Sequence, residues 1–166
     1  MEHGEIVSRK IDSFRELENL VNIEQILFCD EIQNTFLLLE FYNKKKMGVA
    51  YYDYGVSPDF KFMDNNKRVY IGLGINLIYV DVCKNKVMFN HTLHSVFYEL
   101  LFSHNKKYIC VVCELDVYCY SGYEKKWSQG FRNIINDFKI INDANILIKC
   151  DDNTEYLFSI ENGESF

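Results

Sequence analysis

Three groups of residues have types and spacings that chemistry can use. Cys110-x-x-Cys113 is one, His91-x-x-His94 with His104 is another, and Gly72-x-Gly74 after an apolar run is the third. A zinc ribbon needs a second cysteine pair, and none follows at suitable spacing. Residues three apart on a strand point to opposite faces, so these two thiols cannot share a metal without a bend. The histidines have no carboxylate or third ligand at a telling distance. A nucleophile beside them would have to arrive through the fold. Gly72-x-Gly74 lacks the third glycine and the helix of a dinucleotide fingerprint, and it reads as a hairpin or bulge pair. Asp151-Asp-Asn-Thr-Glu155 lacks EF-hand spacing and its glycine. The expectation is a chain with no catalytic residue, no metal ligand and no cofactor, and hence not an enzyme.

Binding residues are easier to name. In Tyr51-Tyr-Asp-Tyr54, strand alternation sends Tyr51 and Asp53 to one face and Tyr52 and Tyr54 to the other. Asp59 follows after the Gly55–Pro58 loop. Aromatic anchors beside carboxylates suit a basic protein partner, because rings hold and charges steer. The expected partner-binding residues are Tyr52, Asp53, Tyr54 and Asp59, extended by Asp151, Asp152, Glu155 and Tyr156.

The charge supports that choice. The net charge is −6, and from Ile141 onward six acids (Asp143, Asp151, Asp152, Glu155, Glu161, Glu164) face the single base Lys149. A negative field repels nucleic acid, and Lys44-Lys45-Lys46 reads as a solvated hairpin loop. No run approaches the roughly 20 apolar residues of a membrane helix. The polar opening Met1-Glu-His-Gly-Glu5 carries no secretory pattern. A cytoplasmic location follows as the expectation, with the six cysteines reduced and packed as small hydrophobes.

What must position these residues is a β body. Residues 4–11 read as an edge strand or arm. Ser13-Phe-Arg-Glu16 has capping-box spacing, and Phe14, Leu17, Leu20 and Val21 recur at helical period, which predicts a helix near 13–22. From Gln25 the period is that of strands, with Ile26–Cys29 and Thr35–Tyr42 read as a hairpin across Asp30–Asn34. Strand signals then recur every 8–12 residues to the end of the chain. The expected organisation is one domain over 1–166, with an arm and helix in 1–24 and an antiparallel β body in 25–166. Thirteen Phe and twelve Tyr supply its core.

Val69–Val82 and Tyr108–Tyr120 repeat one design at a 39-residue shift, which sets Tyr79 on Tyr118, Lys86 on Lys125, Ile78 on Val117 and Met88 on Trp127. Arg68–Phe89, with strand, short turn, strand ending in Asp, a Lys-bearing turn and a bulky aromatic, resembles a β-propeller blade of the PQQ-like or WD-like kind. Tyr118–Trp127 and Tyr156–Glu164 echo parts of it, so the resemblance spans residues 67–164. There is no Trp-Asp dipeptide. The resemblance implies blade-like antiparallel meanders, as an open or incomplete propeller or a sandwich, and no quinone or nucleotide is carried over. By type, a small acidic β-rich chain resembles bacterial immunity proteins, which implies neutralising a basic toxin domain by occluding its active site. The alternative is a β-repeat scaffold within a larger assembly.

Overall fold

Alternation along single strands decides which face each residue joins. In β3 (Thr35–Phe41), Leu37, Leu39 and Phe41 enter one apolar core, while Phe36 and Leu38 enter another on the opposite face. The structure, a computed structural model, describes residues 6–142 and 144–166. Gly4 and Glu5 of the expected edge strand, and Asp143 of the expected turn at 142–145, lie outside the described residues. The chain divides into two compact units, residues 1–92 and 93–166.

The first unit holds two four-stranded sheets. One has the order β1 (Ile6–Ile11), β3, β4 (Lys46–Tyr51), β2 (Ile26–Phe28). The other is a meander of β5 (Asp59–Met63), β6 (Arg68–Leu73), β7 (Asn76–Asp81) and β8 (Lys86–Thr92). Leu37, Leu39, Phe41, Val49 and Tyr51 of the first sheet share a core with Val69, Ile71, Ile78 and Val80 of the second. The other face of the first sheet is covered by α1 (Phe14–Leu20). Ser13 caps this helix by accepting the Glu16 amide at 3.2 Å, and its Leu17 is fully buried against Ile11, Ile26, Leu38 and Ala50.

The expected hairpin between Ile26–Cys29 and Thr35–Tyr42 does not form. β3 is paired along both edges, by β1 and by β4, so β2 joins the far side of β4 in parallel. With a parallel partner the connecting segment has to cross the end of the sheet, and this places residues 29–34 against residues 50–53.

The second unit is built the same way. β9 (Phe97–Phe102), β10 (Ile109–Cys113), β11 (Asp116–Ser121) and β12 (Glu124–Gly130) form a four-stranded meander, and β13 (Ile135–Ile141), β14 (Asn145–Cys150) and β15 (Glu155–Ser159) a three-stranded one. Cys110, Val112, Val117 and Cys119 pack against Ile146, Ile148, Cys150 and Phe158. The fold is mainly β, with four largely antiparallel sheets, one α-helix, one 3-10 turn (Ile23–Gln25) and no closed barrel among the described residues.

The internal repeat is real, but its spacing is not uniform. Leu73 and Asn76 close a two-residue hairpin through Gly74-Ile75, and Cys113 and Asp116 flank the matching Glu114-Leu115 connection, a spacing of 40. The bulge at Tyr79/Val80 recurs at Cys119/Tyr120, again 40 residues on. The next connection has four residues after Asp81 but two after Ser121, so Phe89 matches Trp127 at a spacing of 38. A uniform shift of 39 averages the two and crosses the faces, since a slip of one residue turns a side chain over. Tyr79 corresponds to Cys119 and Ile78 to Tyr118. The stacked layer Tyr70–Tyr79–Phe89, with ring centroids at 4.4 and 5.6 Å, is thus replaced by Cys110, Cys119 and Trp127.

Candidate functional site

The crossing segment 29–34 builds the most organised exposed feature of the first unit. Asp30 Oδ2 accepts the Tyr52 amide at 2.8 Å, and Asn34 Oδ1 accepts the Asp53 amide at 2.7 Å. The Asn34 amide donates to the Tyr51 carbonyl at 3.2 Å. The fully buried Asn76 supports Asp30 from behind, with Nδ2 at 3.3 Å from its carboxylate. Asp53 then accepts the Gly55 amide at 2.8 Å and pairs with Lys10 at 3.6 Å. Residues 51–55 are therefore outside a strand beyond Tyr51, yet their backbone is held at four successive points.

This clamp displays two rings. Tyr51 faces the core, and burial pushes its hydroxyl up to about 12. Tyr52 and Tyr54 are 38% and 46% exposed, with centroids 4.9 Å apart and planes tilted by 57°. Ile32, at the tip of the crossing segment, is also exposed. Asp59 starts β5, where it accepts the Phe60 amide at 2.8 Å and pairs with Lys61 at 3.6 Å.

The remaining expected residues lie in the second unit. Asp152 has both oxygens engaged, by its own turn and by a residue beyond it: Thr154 donates from its amide (2.9 Å) and hydroxyl (2.8 Å), and Asn133 donates at 2.6 Å. Glu155 pairs with Lys149 at 3.8 Å. Tyr156 packs against Phe131 and Phe158, at 5.1 and 6.2 Å. Asp151 stays exposed.

The backbone and side-chain donors around Asp152 hold its carboxyl below the usual carboxylate range. A depressed folded-state value means stability that is present above the ordinary value of about 3.8 and lost as pH falls through the carboxylate range. Asp152→Asn is expected to lower stability in the neutral region and to flatten the acid limb, so that the two proteins converge as pH falls through the carboxylate range. Melting temperatures from pH 7 down to pH 2 check this, and parallel acid limbs in the two proteins would refute it.

Sequence reasoning chose Tyr52 and Tyr54 but missed Asp30, Asn34 and Asn76, which hold them. Asp30 and Asn34 had been absorbed into a turn, and Asn76 carried no signal because its partner is 46 residues away. The cysteines of Cys110-x-x-Cys113 are both fully buried, with Cys110 directly opposite Cys119. The Cys119 hydrogen bond and burial push the Cys110 thiol well up. Among the described residues no three His, Cys, Asp or Glu side chains converge in a metal-holding arrangement. No helix among them is long and apolar enough to cross a membrane.

No protein-family model matches the chain, and no curated protein matches it. Solved structures do. The chain is similar to the dihydro-heme d1 dehydrogenase NirN in complex with DHE, at 13% identity and a TM-score of 0.55, over 79% of this chain and 31% of that one. It is also similar to a putative 6-phosphogluconolactonase from Bacteroides fragilis, at 18% identity and a TM-score of 0.51, over 79% of this chain and 49% of that one. Both are β-propeller-like, which agrees with the blade-like sheets. The chain spans less than half the length of either. At these identities the likeness establishes the fold alone. It does overturn one expectation: both neighbours are named as enzymes, so a missing catalytic motif is no ground for calling a chain of this fold a non-enzyme.

Proposed function

We propose that this chain is a protein-docking module that engages a basic partner through the Tyr52–Tyr54 platform of its first unit. The observation that carries this reading is the clamp: two exposed rings 4.9 Å apart on a backbone held by Asp30 and Asn34. Aromatic anchors that are already ordered lose little conformational freedom on binding, and this is where interface energy concentrates. The surrounding Asp30, Glu31, Asp53 and the net charge of −6 favour encounter with a positively charged surface. Asp151 and Glu155 with Tyr156 form a second acidic and aromatic surface on the other unit. Asp152 serves its turn and contributes mainly by shaping that loop.

Neutralisation of a toxin domain is the narrower form of this reading, with occlusion of the toxin's active site as its mechanism. A β-repeat piece of a larger assembly is the second reading. It is favoured by the likeness to longer propeller-like chains, of which this chain covers 31% and 49%.

The experiment is affinity measurement of the captured partner against wild type, Tyr52→Ala and Tyr54→Ala across a salt series. Each substitution is expected to weaken binding by about 1–3 kcal/mol, or roughly 5- to 150-fold, with circular dichroism unchanged. Wild-type affinity in both variants would remove the platform from the interface. Restored toxicity of a co-expressed partner in the double variant would narrow the function to neutralisation. A multi-subunit complex retained by the double variant would favour the assembly reading.

A further inference from the structure

We infer that the second unit carries a site for a neutral, hydroxyl-rich small molecule of monosaccharide class, separate from the docking platform. A cavity of about 400 Å³ opens between the β9–β10 turn, the start of β14 and the end of β15. That volume is within the range of small-molecule sites, roughly 300–1,000 Å³. Its polar wall is Asn105, Lys107, Tyr108, Asn145 and Glu161, and Phe166 supplies an apolar one.

The wall is built before any ligand arrives. Buried Ser103 donates its hydroxyl to Asn105 Oδ1 at 2.9 Å and accepts the Tyr108 amide at 3.0 Å. The Lys107 amide also reaches Asn105 Oδ1, at 2.9 Å. The turn is therefore braced around the Asn105 side chain. The Tyr108 hydroxyl donates to Glu161 Oε1 at 3.1 Å. Lys107 Nζ lies 3.7 Å from that same oxygen and 4.8 Å from the centre of the Tyr108 ring.

The ligand class follows from this pairing. Lys107 and Glu161 lie side by side with opposite charges, so this part of the wall has no net charge to favour an ionic ligand of either sign. A neutral group that both donates and accepts can bridge the two without separating them. Adjacent hydroxyls of a sugar do this, one accepting from the ammonium and the other donating to the carboxylate, and charge-assisted bonds of this kind are the stronger ones. Asn105, whose Oδ1 is already filled by Ser103 and Lys107, adds the N–H donors of its carboxamide, and Asn145 adds a donor and acceptor pair. Phe166 offers a face for the C–H side of a sugar ring.

The test is saturation-transfer NMR on the full chain with D-glucose, D-galactose and D-ribose at millimolar concentration, and D-glucose 6-phosphate as the charged comparison. Transfer to the ring protons of at least one neutral sugar is expected, and Glu161→Gln should weaken it about tenfold. Glutamine can still accept from Tyr108, so that variant removes the charge while keeping the wall. Trp127 emission and circular dichroism confirm that it is folded. Transfer from none of the neutral sugars, equal transfer in Glu161→Gln, or tighter binding of the 6-phosphate would each overturn the assignment.

Discussion

Gly74→Ala is expected to lower stability by about 2–4 kcal/mol, a fall of roughly 5–15 °C in melting temperature for a chain of this size. Two independent causes act at this residue. Its φ is +55°, where a Cβ costs about 1–2 kcal/mol. A Cβ there would also stand 2.6 Å from the Tyr52 carbonyl oxygen, and a backbone atom cannot swing aside as a side chain can. Gly122→Ala separates the two: its φ is +58°, and a Cβ added there meets nothing within 4 Å. The Gly122 variant should show only the conformational cost, about 1–2 kcal/mol. Denaturant unfolding of both proteins measures the difference, and equal losses would eliminate the close approach as a cause. Because the carbonyl that must move belongs to Tyr52, the Gly74 variant should also displace the docking platform. Its partner affinity is expected to fall although no contact residue has changed.

Tyr79→Ala is expected to cost about 3–5 kcal/mol, whereas Cys119→Ala at the equivalent position should cost only about 1–2 kcal/mol. Tyr79 is fully buried and stacks on Tyr70 and Phe89, so truncation opens a ring-sized void between two rings that cannot close it. Cys119 is equally buried, but truncation to Ala removes a single heavy atom, the sulfur, which lies 3.1 Å from the Ile160 carbonyl oxygen it donates to. The Trp127 indole donates to that same carbonyl at 2.8 Å, so the oxygen keeps a partner when the thiol is lost. Equilibrium unfolding checks the contrast. Equal costs at the two positions would mean that the spacing of 40 does not describe equivalent layers.

Burying a similar layer with different atoms explains why the repeat is faint in the sequence. Three rings in one sheet correspond to two thiols and an indole in the other, so residue identity is lost while strand order, hairpin position and bulge survive. The identities that do align at 39 arise from averaging two unequal connections, one of four residues and one of two.

The amino-acid pattern alone determined the mainly β class, the capped helix near residue 14, the polar turns and the blade-like meanders. These depend on periodicity and on local capping or turn chemistry, which neighbours in the chain decide among themselves. It also put Tyr52 and Tyr54 together on the face away from Tyr51, although the strand whose alternation this assumed ends at Tyr51. Tertiary structure decided the rest. β2 lies parallel to β4 because β3 was already paired on both edges, a competition that no local window contains. Asp30 meets Tyr52, and Asn76 meets Asp30, only after that crossing has been made. The chain names its candidate anchors locally, while the hydrogen bonds that hold them rigid span 19 to 46 residues, because sheet pairing is a long-range choice among edges.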